Sequence, residues 1–128
     1  MSEPAQIPHI LVVVEDDNIA TAILYVLGRQ GFLGERASNG QEALTRLASD
    51  GTDLVMLDIL LPDISGYDLC RRLRRDPDQQ HRKILMMTAR GSATERRKAI
   101  EHGADGFITK PFDPNALRAE LGRLLPPP

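Results

Sequence analysis

Five short apolar runs punctuate this chain, and a two-sided stretch follows each of them. The runs are HILVVV (9–14), FLGERA (32–37), DLVMLD (53–58), KILMMT (83–88) and GFIT (106–109). Most carry little polar alternation, as strands buried on both faces do. Between them, apolar residues return at helical spacing. Ile19, Ile23, Val26 and Leu27 form one face before Gly31, and Ala43, Leu44 and Leu47 form the next. Leu69 and Leu73 precede Pro77, a fourth stretch runs through Ile100 to Gly103, and Leu117, Leu121, Leu124 and Leu125 close the series. Helix starts are marked as well: Asn39 with Glu42 and Ser92 with Glu95 read as capping boxes, and Asp113 with Pro114 as an N-cap and first helical position. Strands alternating with helices dictate right-handed βαβ units, hence an α/β fold with a parallel sheet covered on both faces. FLGERA, interrupted by Gly34, belongs at the sheet edge.

The 128 residues suit one domain, expected over 9–125, with 1–8 as a flexible lead-in and the PPP of 126–128 as a tail or the start of a linker. A formal charge of −2 gives no basic stripe, so direct nucleic-acid binding by this chain is not expected. The single cysteine, Cys70, excludes an intrachain disulfide and fits a reducing compartment. No apolar run reaches the ~20 residues that span a bilayer, and MSEPAQIPH lacks the order of a signal peptide. A soluble cytoplasmic protein with no membrane partner is expected.

Ligands of open parallel sheets bind beyond the carboxyl ends of the strands. At those ends stand Glu15, Asp16 and Asp17, then Asp58, then Thr88 and Ala89, then Lys110 and Pro111. Gathered carboxylates repel, by roughly 1 kcal/mol per pair at ~4 Å in water and by ~4 kcal/mol at an effective dielectric near 20. Either some are protonated or a cation joins them. Oxygen donors suit Mg²⁺, which takes one or two carboxylates together with phosphate oxygens; Mn²⁺ is an alternative. Lys110 adds a second positive charge and Thr88 a donor for phosphoryl oxygens, while Asp58 can itself accept a phosphoryl group.

VVVEDD, DLVMLDILLPDISG, MMTAR and GADGFITKPF, in this order and spacing, resemble the receiver domain of two-component response regulators over roughly Ile10 to Leu125. The resemblance implies a flavodoxin-like (βα)5 doubly wound fold with strand order 2-1-3-4-5. It makes Asp58 the phosphoacceptor, and Glu15, Asp16, Asp58 and the Leu60 backbone carbonyl the metal ligands. Thr88 becomes the switch hydroxyl, Phe107 the aromatic that turns inward with it, and Lys110 the phosphate-contacting lysine, its bond to Pro111 being usually cis in this family. The implied partners are a sensor histidine kinase or histidine phosphotransfer protein and a downstream protein or effector domain. The implied activity is that of a switch with slow autodephosphorylation, not of an enzyme acting on other molecules.

Other readings compete residue by residue. Glu15 and Asp16 could merely cap a helix N-terminus and compensate its dipole; Asp17 is assigned to the helix cap, and Asp53, Asp63 and Asp68 to turns or caps. Cys70 reads as packing, His9, His81 and His102 as exposed, and the arginines at 71, 72, 74 and 75 as a solvated face. A haloacid-dehalogenase-type phosphatase would want a second Asp where Leu60 stands. A flavin module would want backbone donors where the first turn carries acids. A binding-only pseudo-receiver would want a damaged acceptor site. Receivers that dimerise through helix 4, strand 5 and helix 5 typically read GADDY with an arginine in the last helix. Here Gly106 and Glu120 stand at those places, so a monomer or weak dimer is expected. Leu60 and Arg90 are expected to flank the phosphoryl group.

Overall fold

The computed structural model describes residues 7–49, 51–89, 92–110 and 113–125. The elements alternate in chain order: β1 (His9–Val13), α1 (Asp17–Arg29), β2 (Leu33–Ala37), α2 (Gly40–Ala48), β3 (Leu54–Asp58), α3 (Gly66–Arg75), β4 (Lys83–Thr88), α4 (Ala93–Glu101), β5 (Gly106–Thr109) and α5 (Pro114–Leu124). All strand pairs are parallel, in the order β2-β1-β3-β4-β5. This is the expected order, with the Gly34-bearing strand at an edge.

Side chains alternate across a strand, and here the alternation divides the core in two. Leu11, Val13, Val55, Leu57, Ile84, Met86 and Phe107 pack under α2, α3 and α4. Ile10, Val12, Leu54, Met56, Leu85, Met87 and Ile108 pack under α1 and α5. The sheet is therefore doubly wound. The same parity aims the residues at the strand ends. Asp58 falls in register with Leu54 and Met56, and Lys110 with Ile108, toward α1 and α5. Thr88 falls in register with Ile84 and Met86, toward α4.

The capping expectations hold in one half. Asn39 accepts from the Glu42 N–H at 2.8 Å, and Ser92 from the Glu95 N–H at 3.1 Å. The two glutamate side chains reach elsewhere, to the Ser38 hydroxyl and the Thr88 hydroxyl. Asp113 caps α5, with Pro114 in its first turn.

Three expectations need correction. Asp16, not Asp17, caps α1, accepting from the Ile19 N–H at 2.9 Å; Asp17 is the first helical residue. Arg74 is not part of a solvated face. Its guanidinium binds the carbonyls of Gly103, Gln80 and Arg82 and pairs with Asp105, tying α3 to the loops around β4. His102 is half-buried, its ring 5.1 Å from that of Tyr67 and its Nδ1 2.8 Å from the Lys98 carbonyl oxygen. Cys70 is fully buried, as expected, and burial pushes its thiol up to about 11. No described helix is long and apolar enough to cross a membrane.

Candidate functional site

Parallel strands bring their carboxyl ends to one edge, and Glu15, Asp16, Asp58, Leu60, Thr88 and Lys110 line a single cleft there of about 450 Å³. At its centre is an ion pair. The Lys110 Nζ donates to Asp58 Oδ2 at 2.8 Å, and the two side chains are only 16% and 9% exposed. The other Asp58 oxygen accepts weakly from the Leu60 N–H at 3.3 Å. Lys110 is held in turn by its own N–H, which donates to the Thr88 carbonyl at 2.6 Å beyond the end of the β4–β5 ladder.

The loop after Asp58 folds back tightly. Leu60 bridges Ser65, and the Gly66 N–H donates to the Ile59 carbonyl at 2.8 Å. A Cβ on Gly66 would lie 2.3 Å from the Asp58 carbonyl oxygen and 2.7 Å from the Ile59 Cα. Both are backbone atoms, so only glycine lets α3 start this close to the end of β3. The turn leaves Leu60 79% exposed at the edge of the cleft it lines.

The acid turn after β1 is stapled from the neighbouring edge strand, a feature that the sequence reading missed. Arg36 donates from Nε and Nη2 to the Val14 carbonyl at 3.1 and 3.0 Å, and from Nη2 to the Glu15 carbonyl at 2.7 Å. Its Nη1 reaches Asp17 Oδ1 at 2.7 Å. The guanidinium thus fixes the backbone that carries Glu15 and Asp16 and offsets part of their charge.

Thr88 is buried, and its hydroxyl donates to Glu95 Oε2 at 3.0 Å. Glu95 lines the same cleft, and its negative charge adds to burial in raising the Tyr67 phenol above its usual range. Phe107 is buried in the α2/α3/α4 half of the core, with the Arg96 guanidinium 5.9 Å from its ring centre. Asp63 serves the fold: it accepts the Gly40 and Gln41 N–H groups at the start of α2, and these bonds hold its carboxyl below the usual range. Asp53 binds the His9 N–H and Asp68 pairs with Arg71. Pro111 and Arg90 lie outside the described residues.

The cleft's donors are carboxylate and carbonyl oxygens, the chemistry of a hard divalent cation. Among the described residues no three acidic, histidine or cysteine side chains are grouped as a ready-made metal cage. Asp16 gives one oxygen to the helix cap and Asp58 faces Lys110, so the donors form an open site. Mg²⁺ accepts such a site, because it retains several waters and shares its shell with a phosphate group.

A family model described as the response regulator receiver domain matches residues 10–122. The phosphate regulon transcriptional regulatory protein PhoB of Rhizobium meliloti is 38% identical over 119 residues, covering 93% of this chain and 52% of its own length. The alkaline phosphatase synthesis transcriptional regulatory protein PhoP of Bacillus subtilis is 36% identical over 116 residues, covering 91% and 48%. The chain therefore spans about half the length of these curated relatives. Among solved structures, the chemotaxis response regulator CheY4 of Vibrio cholerae superposes with a TM-score of 0.88 at 27% identity, covering 94% of this chain and 100% of that one. The receiver domain of a signal transduction histidine kinase from Syntrophus aciditrophicus superposes with 0.84 at 33% identity, covering 92% and 89%. The matched family model, the relatives and the shared fold agree, and this chain belongs to the response regulator receiver family.

Proposed function

We propose that Asp58 accepts a phosphoryl group from a phosphohistidine of a sensor kinase or phosphotransfer protein and that this switches the surface formed by α4, β5 and α5. The observation that carries the reading is the nearly buried Asp58–Lys110 pair in a cleft that Glu15, Asp16 and Thr88 also line. An Asp58 oxygen forms the new P–O bond as the P–N bond to the donor ring breaks, the ring leaving as imidazole. The Lys110 ammonium, already beside that oxygen, stays with the growing negative charge on the phosphoryl oxygens. Glu15, Asp16, Asp58 and the Leu60 carbonyl would hold Mg²⁺, which when bound supplies charge neutralisation at the transferring group. The Thr88 hydroxyl then turns to a phosphoryl oxygen, and Phe107 and α4 adjust to it.

An apolar groove lined by Ile19, Ala22, Ile23, Val26 and Pro114 adjoins the cleft at Lys110 and offers a resting place for a donor helix. Output runs through protein contact or a fused effector, in keeping with the net charge of −2. A symmetric dimer through α4, β5 and α5 is disfavoured. Glu120 pairs with Arg123 at 2.8 Å, and this pair lies on Gly106, where a Cβ would come within 2.8 Å of the Glu120 carboxylate.

Intact mass spectrometry after incubation with acetyl phosphate or phosphoramidate tests the reading. One phosphoryl group is expected on wild type with Mg²⁺, and none on Asp58→Ala or without metal. An equal adduct on Asp58→Ala would refute Asp58 as acceptor. No adduct, with no beryllofluoride binding either, would leave a binding-only module.

A further inference from the structure

We propose that Glu95 is a positioning residue that latches Thr88 in the off state, so that phosphorylation of Asp58 must take the Thr88 proton away from a carboxylate. The proposal rests on the reading of Asp58 and Thr88 given above. Three observations support it. First, the Thr88 hydroxyl already donates, to Glu95 Oε2 at 3.0 Å. A hydroxyl carries one proton, so Thr88 serves Glu95 or a phosphoryl oxygen and not both.

Second, Glu95 is aimed rather than loosely placed. Its N–H is fixed by the Ser92 cap at 3.1 Å, its side chain is half-buried, and it shares the cleft with Asp58, Thr88 and Lys110. Strand parity sends Thr88 toward α4 and Asp58 toward the opposite face. Engagement of the phosphoryl group therefore draws the hydroxyl off the α4 side. The incoming group is also anionic, and it repels the carboxylate as it attracts the proton. Both effects push the first turn of α4 in one direction.

Third, α4 is lightly anchored. Of its nine residues only Ala99 is buried, and Ile100 is 57% exposed. Two of its contacts are cationic: Lys98 lies 4.7 Å from the Tyr67 ring centre and Arg96 5.9 Å from that of Phe107. A helix with so little buried apolar surface opens or shifts at low cost. Release of Glu95 is thus transmitted to the helix that carries the output surface.

The test is a titration with beryllofluoride and Mg²⁺, followed by amide NMR, on wild type, Glu95→Ala, Glu95→Gln, Thr88→Ala and the double variants Glu95→Ala/Thr88→Ala and Glu95→Gln/Thr88→Ala. Glu95→Ala is expected to bind about tenfold tighter than wild type, the lower end for losing a hydrogen bond to a charged acceptor. Glu95→Gln keeps a weaker acceptor oxygen and should fall between the two. In the Thr88→Ala background, Glu95→Ala should change nothing. If Glu95 acts only by charge repulsion, Gln and Ala strengthen binding equally and the gain persists without the Thr88 hydroxyl; that result overturns the latch. Wild-type binding with an unchanged Glu95→Ala also overturns it and leaves the acceptor site standing. Failure of wild type to bind beryllofluoride or accept phosphoryl sinks both. Should Glu95→Ala unfold, the Gln variant in the two Thr88 backgrounds decides alone.

Discussion

Replacing Arg36 with methionine keeps a long apolar side chain and removes the staple on the acid turn. What is lost can be divided by burial. The Arg36–Asp17 pair is short, at 2.7 Å, but Asp17 is 88% exposed and Arg36 24% exposed. Exposed pairs of this kind contribute about 0–1 kcal/mol. The hydrogen bonds to Val14 and Glu15 count for more. Val14 is 1% exposed, so water cannot readily replace the guanidinium at its carbonyl, whereas Glu15 is exposed and can be rehydrated. Charged donors to buried carbonyls contribute about 1.5–3 kcal/mol. The sum for Arg36→Met is a loss of about 2 kcal/mol, with Asp17→Ala costing under about 1 kcal/mol. Arg36→Lys should recover little, because one ammonium cannot span the Val14 carbonyl, the Glu15 carbonyl and Asp17 together.

Urea denaturation followed by far-ultraviolet circular dichroism measures this directly, and the chain has no tryptophan to offer a competing probe. With a slope of about 2 kcal/mol per molar, the Arg36→Met midpoint should fall by about 1 M. Beryllofluoride affinity should fall with it, since Glu15 and Asp16 lose the backbone clamp that presents them. An Arg36→Met midpoint equal to wild type would refute the reasoning. A loss in Asp17→Ala equal to that in Arg36→Met would refute it differently, by showing that the exposed ion pair carries the energy.

Gly66→Ala should cost about 2–3 kcal/mol and weaken phosphorylation, because its Cβ would meet the Asp58 carbonyl oxygen at 2.3 Å and backbone must move; urea midpoints and intact mass report the two effects. Arg82→Met should lose about 2 kcal/mol, because Arg82, only 4% exposed, donates to Gln79 Oε1 and the Thr52 carbonyl, which would lose that donor, while the Leu47 carbonyl keeps the Gln79 Nε2 bond at 2.8 Å. A neutral outcome would mean that relief of the buried charge outweighs those acceptors. Cys70 should stay unreactive toward Ellman's reagent at pH 8 in the folded protein and react promptly in urea. The sign of its linkage follows from a thiol raised from 9.0 to about 11. The contribution is fully present below pH 9 and is lost as pH climbs through 11, so Cys70→Ala should flatten the alkaline fall in stability over that window.

The fold was legible because it depends on short-range signals that agree with one another. Apolar runs, helical spacing and caps each mark an element, and strand–helix alternation leaves few topologies. That Glu15, Asp16, Asp58, Thr88 and Lys110 share one cleft was legible for a related reason. Each stands at the last residue of a parallel strand or within three positions beyond it, and parallel strands end on one edge whatever their side chains do. Asp16 and Asp17 were exchanged because the two differ by one position, and which acid caps depends on where the first helical turn begins. Arg74 was misread, and Arg36 passed over, for another reason. Arg74 sits among solvated neighbours on α3, and its partners at Gly103 and Asp105 are about thirty positions away. A flexible guanidinium finds carbonyls by tertiary proximity, which no local pattern encodes.

Glu95 shows how these two kinds of information combine. Its place three residues after Ser92 announces a helix start, and the N-cap bond to its backbone bears that out. Read only so, its side chain would be assigned to the capping box and nothing more. The carboxylate is free for another use because the cap needs only its N–H. The strand that ends at Thr88 points that hydroxyl toward the same turn. A residue chosen by local structure thus comes to face the acceptor cleft, and a change at Asp58 reaches α4 through one proton with two possible acceptors. The Thr88→Ala background separates these roles. It leaves the Ser92 cap intact and removes the hydroxyl that carries the shared proton, so any effect of Glu95 that survives there belongs to the helix and any that vanishes belongs to the switch.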